Sequence, residues 1–134
     1  MSETQQGDQA GQDSADDFDV VIVGGGPGGY GAALYGASAG LRIAMVEKDK
    51  VGGTCLHRGC IPAKELLETA HVHQTVLGAD RFGINTDAPV VDWSVTQDRK
   101  QKIVDQLHKG LSGLIKARSI ESISGTGHLD ADRS

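Results

Sequence analysis

The sequence predicts an α/β fold built on a parallel sheet, and three observations carry that prediction. Val20, Val21, Ile22 and Val23 form a short β-branched run that ends at Gly24, the pattern of a buried parallel strand. Residues 24–30 then read Gly-Gly-Gly-Pro-Gly-Gly-Tyr, and Ala32, Ala33, Leu34, Ala37 and Ala39 continue as a helix of small residues. A second apolar run, residues 41–46, ends at the acidic Glu47. Strand, turn, helix and strand in that order form one winding of an open α/β sheet.

Within the turn, Gly24, Gly26 and Gly29 match the pattern G-x-G-x-x-G. Gly24 allows the tight turn, Gly26 lets backbone approach a pyrophosphate, and Gly29 lets helix and strand pack closely. The phosphates would lie on the helix N-terminus, where unpaired amides point outward. Glu47 follows the glycines by about 20 residues, the distance at which an acid accepts hydrogen bonds from adenosine ribose hydroxyls. Glycines alone would suit a flexible loop equally well. The whole order, from strand to acid, selects a Rossmann-type dinucleotide site, although it does not separate FAD from NAD.

At 134 residues the chain has the length of one domain, with 38% hydrophobic residues and a formal net charge of −5. Only 4% of it is aromatic. With no basic stripe and few stacking rings, it is not expected to bind nucleic acid. No apolar run approaches the roughly 20 residues that cross a bilayer, so no membrane association is expected. The first residues lack the features of a signal or transit peptide, which gives a cytoplasmic expectation. Residues 1–17 are polar and acidic with no large apolar side chain after Met1, and are read as a disordered tail; residues 18–134 are read as the folded part.

Beyond Glu47, residues 52–64 hold both cysteines and read Gly-Gly-Thr-Cys-Leu-His-Arg-Gly-Cys-Ile-Pro-Ala-Lys. In a regular helix Cys55 and Cys60 would be separated by about 7.5 Å of rise, whereas bridged Cα atoms lie about 4.4–6.8 Å apart. If the two pair, the backbone must leave regular helix between them, and Gly59 supplies that freedom. Pro62 suits the first turn of a helix running through Lys64, Glu65 and Leu66, which places Cys60 at a helix N-terminus where a thiolate is stabilised. By spacing alone the pair could equally be two small residues in a buried turn, since it fits neither a zinc pattern nor C-x-x-C.

The helix should run to about Gly78, carrying His71 and His73 as ordinary surface or core-edge residues rather than metal ligands. Residues 78–91, rich in Gly, Asn, Asp and Pro, read as a connection with one short strand near residues 82–84. Asp92 is a candidate N-cap for a longer helix. On it Ile103, Leu107, Leu111 and Ile115, supported by Val104 and Leu114, form an apolar stripe, while Arg99, Lys100, Lys102, Lys109 and Lys116 form the solvated face. Residues 119–124 alternate Ile with polar side chains, as a half-buried or exposed strand does.

The segment from Gly52 to Lys64 resembles the redox-active disulfide segment of the flavin-dependent pyridine nucleotide disulfide oxidoreductases, most closely the dihydrolipoamide dehydrogenases. The resemblance extends over residues 18–129 and implies the N-terminal part of a Rossmann-type FAD-binding domain, incomplete in this chain. Members of the family continue with the rest of the FAD domain, an NAD domain and an interface domain whose His and Glu act across a dimer. The resemblance implies Cys55 as the interchange thiol that meets substrate and Cys60 as the flavin-facing thiol. Lys64 matches the lysine near flavin N5, Glu47 the ribose acceptor, and Gly53, Thr54 and Gly127 positions that approach FAD.

The implied activity is oxidation of protein-bound dihydrolipoamide through a Cys55–Cys60 disulfide and FAD to NAD. The implied partners are the lipoyl domain of a 2-oxo acid dehydrogenase complex or of the glycine cleavage system, and a second subunit in a homodimer. This chain alone is expected to be inactive. Two other readings stay open: a non-catalytic FAD-binding fragment, and an enzyme of the glutathione or mercuric reductase type. Leu56 and Ile61 fit the lipoamide branch better. Three positions depart from the common pattern, with His57 where relatives often carry Asn, Arg58 where a small apolar residue is common, and Ala63 where Ser is frequent. A partial sheet is also expected to expose an unpaired edge and apolar surface, and so to aggregate or rely on a partner.

Overall fold

The computed structural model describes residues 17–129 and 131, so the reading of a disordered tail lies almost wholly outside the described residues. Three strands and four α-helices follow in the order β1 (Val20–Val23), α1 (Pro27–Ser38), β2 (Ile43–Glu47), α2 (Gly53–His57), α3 (Cys60–Leu77), α4 (Trp93–Ala117) and β3 (Glu121–Ser124). The strands form one parallel sheet in the order β1-β2-β3. Val20 pairs with Ile43 and Val23 with Val46, while Ala44 pairs with Glu121 and Glu47 with Ser124. All three strands therefore end at the same side of the sheet, where ligands bind open α/β folds.

One face of this sheet makes the core. Ile43 and Met45 of β2 are buried with Ala33 of α1, Ile115 of α4 and Ile120, and Ile22, Tyr30, Leu34 and Leu111 pack around them. Gly36 is buried against Ile43, where a Cβ would meet Ile43 Cδ1 at 3.0 Å, so the small residues of α1 let the helix lie close on the strand. The other face carries Val21, Val23 and Ile123, which the described residues leave 58%, 60% and 40% exposed. β1 was expected to be a buried strand. It is instead an edge strand with one face bare, because the two helices that pack on the sheet, α1 and α4, share the same side.

The helices follow their sequence signals with two corrections. Asp92 caps α4 as expected, its carboxylate accepting from the backbone N–H of Ser94 and Val95 at 3.0 and 3.2 Å. The Ser94 hydroxyl, then these amides, hold the Asp92 pKa below its ordinary value. The inward face of α4 runs through Thr96, Ile103, Val104, His108, Leu111 and Ile115, whereas Leu107 and Leu114 are each 43% exposed; Lys100, assigned to the solvated face, is half-buried. The strand expected near residues 82–84 is absent. A 3-10 helix, Ala79–Phe82, stands there, closed by bonds from Gly83 N–H to Asp80 O and from Ile84 N–H to Ala79 O, with Gly83 at φ 77°. No neighbouring strand is available to pair with it, so the segment satisfies its amides locally. Among the described residues no helix is long and apolar enough to cross a membrane.

Candidate functional site

The site is assembled at the carboxyl end of the sheet from two turns that would otherwise be far apart. Gly24 leaves β1 at φ 102°, a conformation that favours glycine, and its N–H donates to Val46 O at 2.7 Å. Gly26 caps α1, and Pro27 occupies the first helical position. A Cβ on Gly29 would collide with the Gly24 carbonyl oxygen, so only glycine lets the first turn of α1 sit against the end of β1. A Cβ on Gly26 or Gly28 would meet nothing within 4 Å. The turn thus presents bare backbone and open space at a helix N-terminus, the arrangement that receives a phosphate.

Glu47 lies at the end of β2, directly beside this turn. One carboxylate oxygen accepts from the Gly25 N–H at 2.7 Å and the other from the Asp49 N–H at 2.9 Å. The Gly25 amide above all, and then the Asp49 amide, hold the Glu47 pKa below its ordinary value against a smaller opposing effect of burial. An ionised carboxylate can accept about four hydrogen bonds, so two lone-pair sites remain for hydroxyl donors. The same side chain therefore fixes the glycine turn and keeps capacity for a further donor.

The cysteine segment joins this turn through backbone. The Gly52 N–H donates to Gly25 O at 2.8 Å, and a Cβ on Gly53 would come within 2.9 Å of Gly26 Cα. Gly52 and Gly53 have φ of 105° and 59°, so this double glycine both turns the chain and permits the close approach. α2 then runs only as far as His57, and the chain breaks at Arg58 and Gly59 before α3 begins at Cys60. The break brings the Cys55 and Cys60 Cα atoms to 4.7 Å, and a disulfide joins them. Departure from regular helix occurs at Gly59, as the sequence required. Cys60 is the first residue of an 18-residue helix, and Lys64 lies one turn further along the same helix, exposed.

Other expected positions are placed more loosely. Thr54 is an exposed residue of α2, and its carbonyl accepts from the Arg58 N–H at 2.9 Å. Gly127 packs on the end of β1, where a Cβ would lie 2.9 Å from a Val23 methyl. Arg58 bonds Asp49 at 2.6 Å, and this side-chain hydrogen bond lowers the Asp49 pKa. Ala63 N–H donates to Gly59 O at 2.9 Å, so the helix start is made by backbone without a side-chain cap. An apolar recess of about 240 Å³ reaches Cys55 and is lined by Tyr30, Leu56, Ile61, Leu107 and Leu111. Sequence reasoning missed this lining and missed His108, whose position four residues after buried Val104 was the available signal. Among the described residues no group of three or more His, Cys, Asp or Glu side chains could hold a metal ion.

Residues 18–133 match the family model described as pyridine nucleotide-disulphide oxidoreductase. The chain belongs to this family. Among curated members, the dihydrolipoyl dehydrogenase of Bacillus subtilis strain 168 is 48% identical over 115 residues, which are 86% of this chain and 24% of that protein. That of Haloferax volcanii is 43% identical over 117 residues, 87% of this chain and 24% of its own. The chain therefore spans about a quarter of the length of the curated oxidoreductases it matches. The crystal structure of LpdA from Mycobacterium tuberculosis superposes with a TM-score of 0.74 at 21% identity, covering 83% of this chain and 24% of that one. The α/β reading is borne out as a fragment of the oxidoreductase fold, with the glycine turn, the acid and the cysteine pair on one side of the sheet.

Proposed function

We propose that this chain is the FAD-binding and disulfide-bearing part of a dihydrolipoyl dehydrogenase, with the longer protein oxidising protein-bound dihydrolipoamide at the expense of NAD. One observation carries the reading: the Cys55–Cys60 disulfide ties the start of α3 to α2, and the Gly52-Gly53 turn that precedes α2 is hydrogen-bonded to the glycine turn, so a nucleotide cradle and a redox pair share one scaffold. Gly24, Gly26 and Gly29 shape the pyrophosphate cradle, Glu47 receives the adenosine ribose, and Gly53, Thr54 and Gly127 border the same cofactor. When bound, FAD supplies the two-electron acceptor between the cysteine pair and the nicotinamide.

The chain's own part is thiol–disulfide exchange. A dihydrolipoyl thiolate attacks the Cys55 sulfur, the Cys55–Cys60 bond breaks, and Cys60 leaves as a thiolate. The second lipoyl thiol then displaces Cys55, which releases oxidised lipoamide and leaves both cysteines reduced. Cys60 suits the leaving role because the amides of the first turn of α3 stabilise its negative charge. Lys64, one turn on and exposed, would supply a positive charge to a reduced flavin. The apolar recess at Cys55 favours an aliphatic dithiol over a charged tripeptide such as glutathione. The lipoyl domain that delivers substrate, the homodimer and the acid–base pair belong to the longer protein, which we place in the cytoplasm.

Titration of the purified chain with FAD, followed by reduction with a dithiol, tests this reading. Bound flavin that gains a long-wavelength charge-transfer band, lost in Cys60→Ser, is the expected result. No flavin retained at tens of micromolar, or a band indifferent to Cys60→Ser, would overturn it. Lipoamide turnover with NAD is expected only from the longer protein.

A further inference from the structure

Two imidazoles outside this machinery meet at the base of the cysteine helix. His57 closes α2, two residues after Cys55 and three before Cys60, while the half-buried His108 comes from α4, four residues after buried Val104. His57 Nε2 lies 2.9 Å from the carbonyl oxygen of Val51, and His108 Nδ1 lies 3.1 Å from the same oxygen. The rings stand edge to face with centroids 4.9 Å apart. A carbonyl oxygen only accepts, so both ring nitrogens must carry a proton there. In the neutral rings that selects the Nε2–H form for His57 and the Nδ1–H form for His108.

Val51 is the residue before the Gly52-Gly53 turn that launches α2, and its side chain packs against the core. Gripping its carbonyl from α4 therefore fixes where α2 starts. The helix needs such an anchor, because five residues are too few to hold a helix on their own. While the disulfide is closed, it ties α2 to α3 covalently. Once it opens, the covalent link between the two helices runs through Arg58 and the flexible Gly59, α2 keeps the packing of Leu56 and the Gly52 bond to Gly25, and the exposed Arg58–Asp49 pair is a weak tether.

We propose that His57 and His108 are positioning residues that act together on the Val51 carbonyl and keep Cys55 within reach of Cys60 after the disulfide has opened. The proposal rests on the redox reading above. Its consequence is thermodynamic: the held dithiol has a high effective concentration of one thiol near the other, and closure of the disulfide is favoured accordingly.

The test is equilibration of the full chain with glutathione buffers. Two glutathione thiols are oxidised to one glutathione disulfide as the Cys55–Cys60 bond takes up two electrons and two protons. His57→Phe and His108→Leu remove the donors while keeping bulk, and each should shift the equilibrium about tenfold toward the dithiol, equivalent to about 30 mV. His57→Gln and His108→Asn retain an N–H at similar reach and should restore it to within about threefold. Apolar variants that equilibrate like the native chain, or amide variants displaced as far as the apolar ones, would overturn the proposal. Nitrogen-15 NMR of the unsubstituted chain at alkaline pH reads the tautomers without any variant, and His108 in the Nε2–H form would overturn it as well. A disulfide that neither glutathione nor an aliphatic dithiol opens at any ratio would instead defeat the redox reading itself, whereas one that cycles but ignores the imidazoles defeats only the clamp.

Discussion

The two faces of the three-stranded sheet are made from similar residues and meet opposite fates. On one face Ile43 and Met45 are buried beneath α1 and α4; on the other Val21 and Val23 are more than half exposed and Ile123 partly so, while the small Ala44 of the central strand is covered. Parallel sheets are ordinarily covered on both faces, so the bare face marks where the described residues supply only half of a layered core. The cofactor and disulfide elements depend on the covered half alone. The glycine turn is braced by Glu47, the cysteine turn is braced by the glycine turn, and α4 backs both. The site is thus local to the helices that pack, and the missing layer bears on stability and solubility more than on the geometry of the cradle.

Substitutions on the two faces should separate sharply. Met45→Ala removes a fully buried side chain from between α1 and α4 and should cost about 2–5 kcal/mol of unfolding free energy. Val21→Thr, on the bare face, changes a side chain that is 58% exposed and should stay within about 0.5 kcal/mol. Urea unfolding of both variants checks the contrast. Equal losses would mean that the second face is covered in solution, by self-association or otherwise, and sedimentation would then show a species larger than a monomer.

How much of this was legible in the sequence follows from the range of each signal. The shape of the glycine turn, the place of Glu47 at the end of the second strand and the break in helix between the cysteines could be read because each depends on backbone geometry encoded within a few residues. The Asp92 cap was legible for the same reason. The exposure of β1 was not, since a run of Val and Ile looks the same whether one face or two will be covered. His108 was hidden because its partner, the Val51 carbonyl, is 57 residues away and carries no side-chain signature. The strand expected at residues 82–84 failed because apolar residues there lack a strand to pair with, and Asp80 with Gly83 closed a local turn instead.

A sharper cut lies at the junction of strand and helix on the covered side. Gly29→Ala would push a methyl group into the Gly24 carbonyl, and neither backbone segment can yield without moving α1 off the sheet. About 1–3 kcal/mol of stability should be lost, as in other overpacked sites. FAD affinity should fall as well, because the same displacement opens the cradle. Stability lost with unchanged FAD binding would show that the cradle tolerates movement of α1, contrary to the view that one covered layer fixes both.

On the covered side the smallest effect should come from Glu47, and its sign follows from the direction of its pKa shift. The Gly25 and Asp49 amides hold the folded-state value below the ordinary 4.5, so between the two values the unfolded chain binds the extra proton. Stability from this carboxylate is therefore complete above about pH 4.5 and drains away as pH falls through the folded value. Partial exposure screens the interaction, so Glu47→Gln should cost below about 1 kcal/mol at neutral pH. The variant should also flatten the acid limb of stability measured by urea unfolding from pH 6 down to about pH 3. Asp49 and Asp92 are lowered too, by Arg58 and Ser94, and persist in the variant, so the limb should shrink rather than vanish. An unchanged limb would mean that the Glu47 bond to Gly25 contributes nothing to folding, and the bracing of the glycine turn would then rest on the Gly52 to Gly25 backbone bond alone.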